Sequence, residues 1–110
     1  MKSITVLLLI LLLPGFATAA QIFGSLKEGD RPIAQGVQVR VQFDKSIPSS
    51  GATDGYGSYN LFVKPKGKCT FSVYYGGTWV SIDVYSYDSP VRYDFDLIRQ
   101  NDGRYMLRRR

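Results

Sequence analysis

Histidine is missing from this 110-residue chain, and there is a single cysteine. Without an imidazole no side chain has an ordinary pKa near neutrality, and the commonest transition-metal ligand is gone. A Ser-His-Asp or Cys-His arrangement and a zinc peptidase site are therefore excluded. One cysteine, Cys69, cannot close an intramolecular disulfide, so a disulfide-stapled scaffold is excluded as well. Long apolar runs are also scarce. The clearest, Ile4–Leu13, is about half of the ~20 residues that span a bilayer.

That run belongs to a leader. Lys2 gives a positive start, Pro14 and Gly15 break the apolar segment, and Ala17-Thr18-Ala19-Ala20 offers small residues for a signal peptidase. Residues 1–20 are expected to be a signal peptide cut after Ala19 or Ala20, with a membrane anchor as the alternative. The chain is then exported, to the periplasm or the extracellular space. No cysteine sits at the cut, which argues against a lipoprotein. Removing Lys2 from 14 basic residues leaves 13 against 9 acidic ones, a net charge of +4 on about 90 residues. Such a short domain buries a modest share of its surface and is only marginally stable. The basic excess gathers at Arg104 and Arg108-Arg109-Arg110. A tail of this kind contacts anionic surfaces weakly, or is simply solvated. Export disfavours nucleic acid as a partner.

Beyond residue 20 the chain alternates apolar and polar residues with period two, as half-buried strands do. Strands are expected over 21–27, over 36–43 with Val37, Val39, Val41 and Phe43 on one face, and over 58–64 with Tyr59, Leu61 and Val63 inward. Further strands follow over 68–75 (Cys69, Phe71, Val73, Tyr75), over 78–85 (Val80, Ile82, Val84) and over 91–97 (Val91, Tyr93, Phe95, Leu97). A last short one covers 104–107. Glu28–Pro32, Pro65-Lys66-Gly67, Gly76-Gly77, Asp88-Ser89-Pro90 and Asn101-Asp102-Gly103 supply turns, and Asp44–Ala52 reads as a loop. The expected fold is all-β: an antiparallel seven-stranded Greek-key β-sandwich over 21–98, followed by a hairpin strand and basic tail over 99–110.

Pro32-Ile33-Ala34, Gly36-Val37, Thr53-Asp54-Gly55-Tyr56-Gly57-Ser58-Tyr59, Pro65-x-Gly67 and Phe71-x-Val73 stand in an order that resembles the carboxypeptidase regulatory-like domain, a transthyretin-like (prealbumin-like) sandwich. The resemblance covers roughly 22–97 and implies a domain without catalytic residues, of the kind attached to enzymes, receptors or adhesins. An extra residue before Gly36-Val37 and a cysteine at position 69, in place of an aromatic residue, depart from the pattern. Independently of the family, Asp54 can accept backbone hydrogen bonds in an Asx-type turn, and Gly57 supplies a conformation that a β-carbon penalises. Tyr59 fills core volume with a hydroxyl that needs a partner. Thr53, Asp54, Gly57 and Tyr59 are thus the expected structural turn.

Few groups remain for chemistry. Cys69 has no neighbouring base and points inward, which makes it a small buried residue rather than a reactive or dimer-forming thiol. Asp94 and Asp96, two apart on one expected strand, share a face with Arg92 and read as surface charge compensation rather than a glycosidase or calcium pair. No catalytic residue, metal or cofactor is expected. The aromatics Tyr74, Trp79, Tyr85, Tyr87 and Tyr105 fall at turns or on the face away from the core. Such rings either anchor a protein or polysaccharide partner, or pair across strands and stiffen the sheet. The expected function is an exported, non-catalytic module binding a protein or an envelope polysaccharide. The alternative is an assembly subunit that pairs through an edge strand.

Overall fold

The computed structural model describes residues 20–64 and 66–110. Apart from Ala20, the expected leader lies outside these residues, as does Pro65 of the expected turn.

Among the described residues ten strands form two packed sheets: β1 (Ala20–Glu28), β2 (Arg31–Pro32), β3 (Gln38–Gln42), β4 (Ser49–Ala52), β5 (Ser58–Val63), β6 (Gly67–Tyr75), β7 (Thr78–Ser86), β8 (Val91–Arg92), β9 (Phe95–Arg99) and β10 (Tyr105–Arg109). One sheet runs β4-β3-β6-β7. In the other β1 is central, with β5 and β2 along one side, β8 and β9 along the other, and β10 outside β9. The alternation read from the sequence recurs in the burial pattern, though Val37, Phe43, Tyr75, Ile82 and Val91, also expected inward, are only partly buried. Val39, Val41, Tyr59, Leu61, Val63, Cys69, Phe71, Val73, Val80, Val84, Tyr93, Phe95 and Leu97 are buried between the sheets. Phe71 sits at the centre, with the rings of Tyr59 and Phe95 at 4.8 and 5.2 Å. Each such apolar side chain stabilises the fold by roughly 1.5–3 kcal/mol relative to exposure.

Besides β2, a two-residue strand inside the expected Glu28–Pro32 turn, the architecture differs from the expected seven-stranded one at four places. First, β1 pairs with β8 and β9 in parallel, so the sandwich is not wholly antiparallel. Period-two alternation marks a strand but says nothing about the direction of its partner. Second, Ser49–Ala52 is not loop but edge strand β4 on β3, with Gly51 opposite Val39. Third, the expected strand over 91–97 is cut in two. Opposite the break, Ser25 donates its backbone N–H to the Asp94 carboxylate at 2.9 Å instead of to a neighbouring carbonyl. Tyr93 bends toward β1 here, and a β-carbon on Gly24 would lie 1.8 Å from its carbonyl oxygen. Fourth, the hairpin strand expected over 104–107 forms as β10, but it runs on to Arg109, through arginines read as a solvated tail. Leu107 of β10 is buried in the core opposite Leu97. The arginines are tied down: Arg108 and Arg110 reach Asp96 at 3.5 and 3.0 Å, and Arg109 stacks over Tyr93 at 4.6 Å.

Candidate binding surface

The Thr53–Tyr59 segment is held by local hydrogen bonds. Asp54 Oδ1 accepts the backbone N–H groups of Tyr56 and Ser58, both at 2.9 Å. Gly57 has φ +74°, and a β-carbon there would meet the Leu26 carbonyl oxygen at 2.7 Å. The Thr53 hydroxyl accepts from Val37 N–H at 3.0 Å and donates to Ala34 O at 2.7 Å, which joins this turn to the start of β3. The Tyr59 hydroxyl finds its partner across the core, donating to Tyr93 O at 2.6 Å. Burial, then the neighbouring Asp94 and Tyr93, push the Tyr59 phenol up and keep it protonated. These four residues hold the fold and present nothing to solvent for chemistry, except that Asp54 itself is exposed.

The aromatics do not form one patch. Tyr74 and Trp79 are cross-strand partners on the outer face of β6 and β7, their rings edge to face at 5.3 Å. Tyr85 lies six residues along β7 from Trp79, about 20 Å at ordinary strand rise. It stands opposite Lys68, and Tyr87 follows just beyond the strand. Tyr105 is at neither place. Its ring packs edge to face on Tyr75 at 4.9 Å, and both hydroxyls donate to the Glu28 carboxylate, Tyr75 at 2.5 Å and Tyr105 at 3.1 Å. This closes the end of the sandwich where β1 turns. Burial, then the hydrogen bond to Glu28, push the Tyr75 phenol up to about 12.

Around Tyr74 and Trp79 the outer face is polar. Arg40 projects from β3, crosses β6, and lays its guanidinium over the Trp79 ring at 3.9 Å. Ser72, opposite Arg40 in register, is buried beneath this crossing and shares a 2.7 Å hydrogen bond with Ser81. Arg40 was not singled out in the sequence. Its outward parity on the β3 segment was legible, but the strand order that carries it past β6 to Trp79 was not. The result is a ridge of Arg40, Trp79 and Tyr74 in which one face of the indole is already covered. Tyr74 remains 44 % exposed.

The acidic pair divides between two structural tasks. Burial pushes the Asp94 carboxyl up, but hydrogen bonds from Arg92 and Ser25 and the Arg92 charge outweigh it, so its pKa falls below the usual value. Asp96 faces Arg108 and Arg110. Cys69 is buried, with its sulfur 3.6 Å from Val84 O, and burial followed by the Asp83 charge raises its thiol to about 11.

Comparison with known proteins locates the architecture. No protein-family model matches the sequence. No curated protein is significantly similar to it. A solved structure, the 5-hydroxyisourate hydrolase of Klebsiella pneumoniae, superposes with a TM-score of 0.64 over 83% of this chain and 98% of its own, at 15% identity. The fold is transthyretin-like. A 9R-lipoxygenase from Cyanothece PCC8801 also aligns, at 12% identity and a TM-score of 0.38, and there the chain spans 13% of the other's length. In the transthyretin-like sandwich described here, the Arg40–Trp79–Tyr74 ridge lies on the outer face of the four-stranded sheet. The Thr53–Tyr59 turn lies at the end where β4 passes to β5.

Proposed function

We propose that the chain is an exported, non-catalytic binding module of the carboxypeptidase regulatory-like kind, and that it engages a protein partner through the Arg40–Trp79–Tyr74 ridge. The observation that carries this reading is the ridge itself. Tryptophan, tyrosine and arginine dominate binding hot spots, and here the three are prepacked, so little side-chain entropy is lost on contact. Because Arg40 covers the indole face, a sugar ring would have to displace it before stacking, which favours a protein over an envelope polysaccharide. The activity named for the Klebsiella protein is not carried over, since 15% identity speaks to fold alone. The absence of histidine from the sequence also supports a non-catalytic role.

A photo-crosslinking residue placed at Tyr74 in the exporting cell tests the reading. It is expected to give a discrete protein adduct that Arg40→Ala and Trp79→Ala each weaken about tenfold. The same crosslinker at Asn60, exposed on the opposite sheet, is expected to give none. Equal adducts at both positions, or retardation by polysaccharide with no protein adduct, overturn it. A second reading rests on β7, a nine-residue edge strand whose outer backbone row has no strand partner among the described residues, the Tyr93 hydroxyl taking up only Tyr85. Such an edge is a template for pairing with another chain. A concentration-dependent dimer in sedimentation velocity, unaffected by Trp79→Ala, supports that assembly role instead.

A further inference from the structure

The end of the sandwich at which the leader attaches carries a surface of its own, remote from the ridge. Ala20 opens β1 opposite Val63, so residues 1–19 join the domain beside the end of β5. The Asp44–Pro48 loop, Lys64 and Lys66, and the Tyr87–Pro90 segment meet at this same end, because Gln42 pairs with Thr70 and Gly67 with Ser86. Here Ile47 is 94 % and Phe62 63 % exposed. They flank one groove of about 360 Å³, lined also by Phe43, Pro48 and Lys64. Lys45 and Lys64 are exposed beside it, and none of the ion pairs among the described residues takes up either one. Tyr85 and Tyr87, about half exposed, stand at the same end.

We infer that this end docks on an anionic lipid bilayer. Ile47 and Phe62 enter the acyl boundary, and the ammonium groups of Lys45 and Lys64 meet lipid phosphates. Three observations converge on a membrane rather than another occupant. The apolar run Ile4–Leu13 precedes Ala20 closely, so until the expected cut a bilayer that takes up the leader faces this end of the domain. Two exposed apolar side chains, rimmed by two lysines that outnumber the one carboxylate of the loop, Asp44, match the layered chemistry of an interface, apolar below and anionic above. Tyrosines with an apolar ring and a polar tip suit the same depth. The C-terminal arginines are not the contact, since Arg108 and Arg110 are engaged by Asp96.

The test uses residues 20–110, which contain every buried core residue described. They are sedimented with vesicles of equal phosphatidylglycerol and phosphatidylcholine, and with phosphatidylcholine alone. Partitioning is expected to be about tenfold stronger on the anionic vesicles and to fall with added salt. Ile47→Asp with Phe62→Asp, and separately Lys45→Glu with Lys64→Glu, are each expected to lower it about tenfold, while Arg40→Ala with Trp79→Ala leaves it unchanged. Equal partitioning on both vesicle types, or full binding by either tip variant, overturns the inference. So does a soluble protein captured through Phe62 without vesicle binding. A Phe62→Trp, Trp79→Phe protein keeps the question decidable if the aspartate variant does not fold. Its single indole should be quenched by brominated lipid, and no quenching overturns the inference. Because the ridge variant retains vesicle binding, failure here is distinguishable from failure of the proposed partner site.

Discussion

Gly57 shows how a single position can combine two demands. Its φ of +74° strains any side chain, and the Leu26 carbonyl oxygen occupies the space a β-carbon needs. Gly29 has a similar φ, +62°, but open space around it. Gly57→Ala is therefore expected to destabilise the fold by about 2–3 kcal/mol and Gly29→Ala by about 1 kcal/mol, measured by urea unfolding. Equal costs would show that the close approach contributes nothing. Tyr75 makes a second prediction at this scale. Its folded pKa of about 12 lies above the ordinary value of 10, so its protonated form contributes stability fully present below 10 and lost as the pH rises through about 12. Tyr75→Phe should flatten the alkaline loss of stability relative to wild type, as read by thermal melts across that range. The turn residues Thr53, Asp54 and Gly57 were legible in the sequence because their chemistry is local. Arg40, Ile47 and Phe62 were not, because their roles arise only from which strands and loops become neighbours.

Among the elements, the β6–β7 hairpin was the most readable: Cys69, Phe71 and Val73 alternate, Gly76-Gly77 turns the chain, and Val80 and Val84 return on the same face. The parallel join of β1 to β8 and β9 was hidden, since the 91–97 pattern is the same for either direction. So was β4, whose Ser-Ser-Gly-Ala sequence has no β-branched or aromatic residue, and which forms because β3 offers it an edge. The break between β8 and β9 depends on Gly24. Gly24→Ala is expected to cost about 4 kcal/mol or more, a large part of the stability of a domain this size. Loss of amide protection at Tyr93 and Phe95 in hydrogen exchange should accompany it. A variant melting within a degree or two of wild type would show that Tyr93 does not need to approach β1 closely.

At the scale of the whole molecule, a sandwich of about 90 residues is held without a disulfide. Its core runs from Ala20 to Leu107, so the hairpin strand beyond residue 98 packs into the same core. Both proposed contacts sit on this frame: the aromatic ridge on the four-stranded sheet, and the apolar tip at the end where β1 begins. The frame itself is the central claim. Its most direct test is the unfolding of residues 20–110 under reducing conditions, followed at once by far-UV circular dichroism and by Trp79 fluorescence. The predicted result is a β-type spectrum lost in a single transition at the same midpoint by both probes. A helical or disordered spectrum, or two separate transitions, would contradict it.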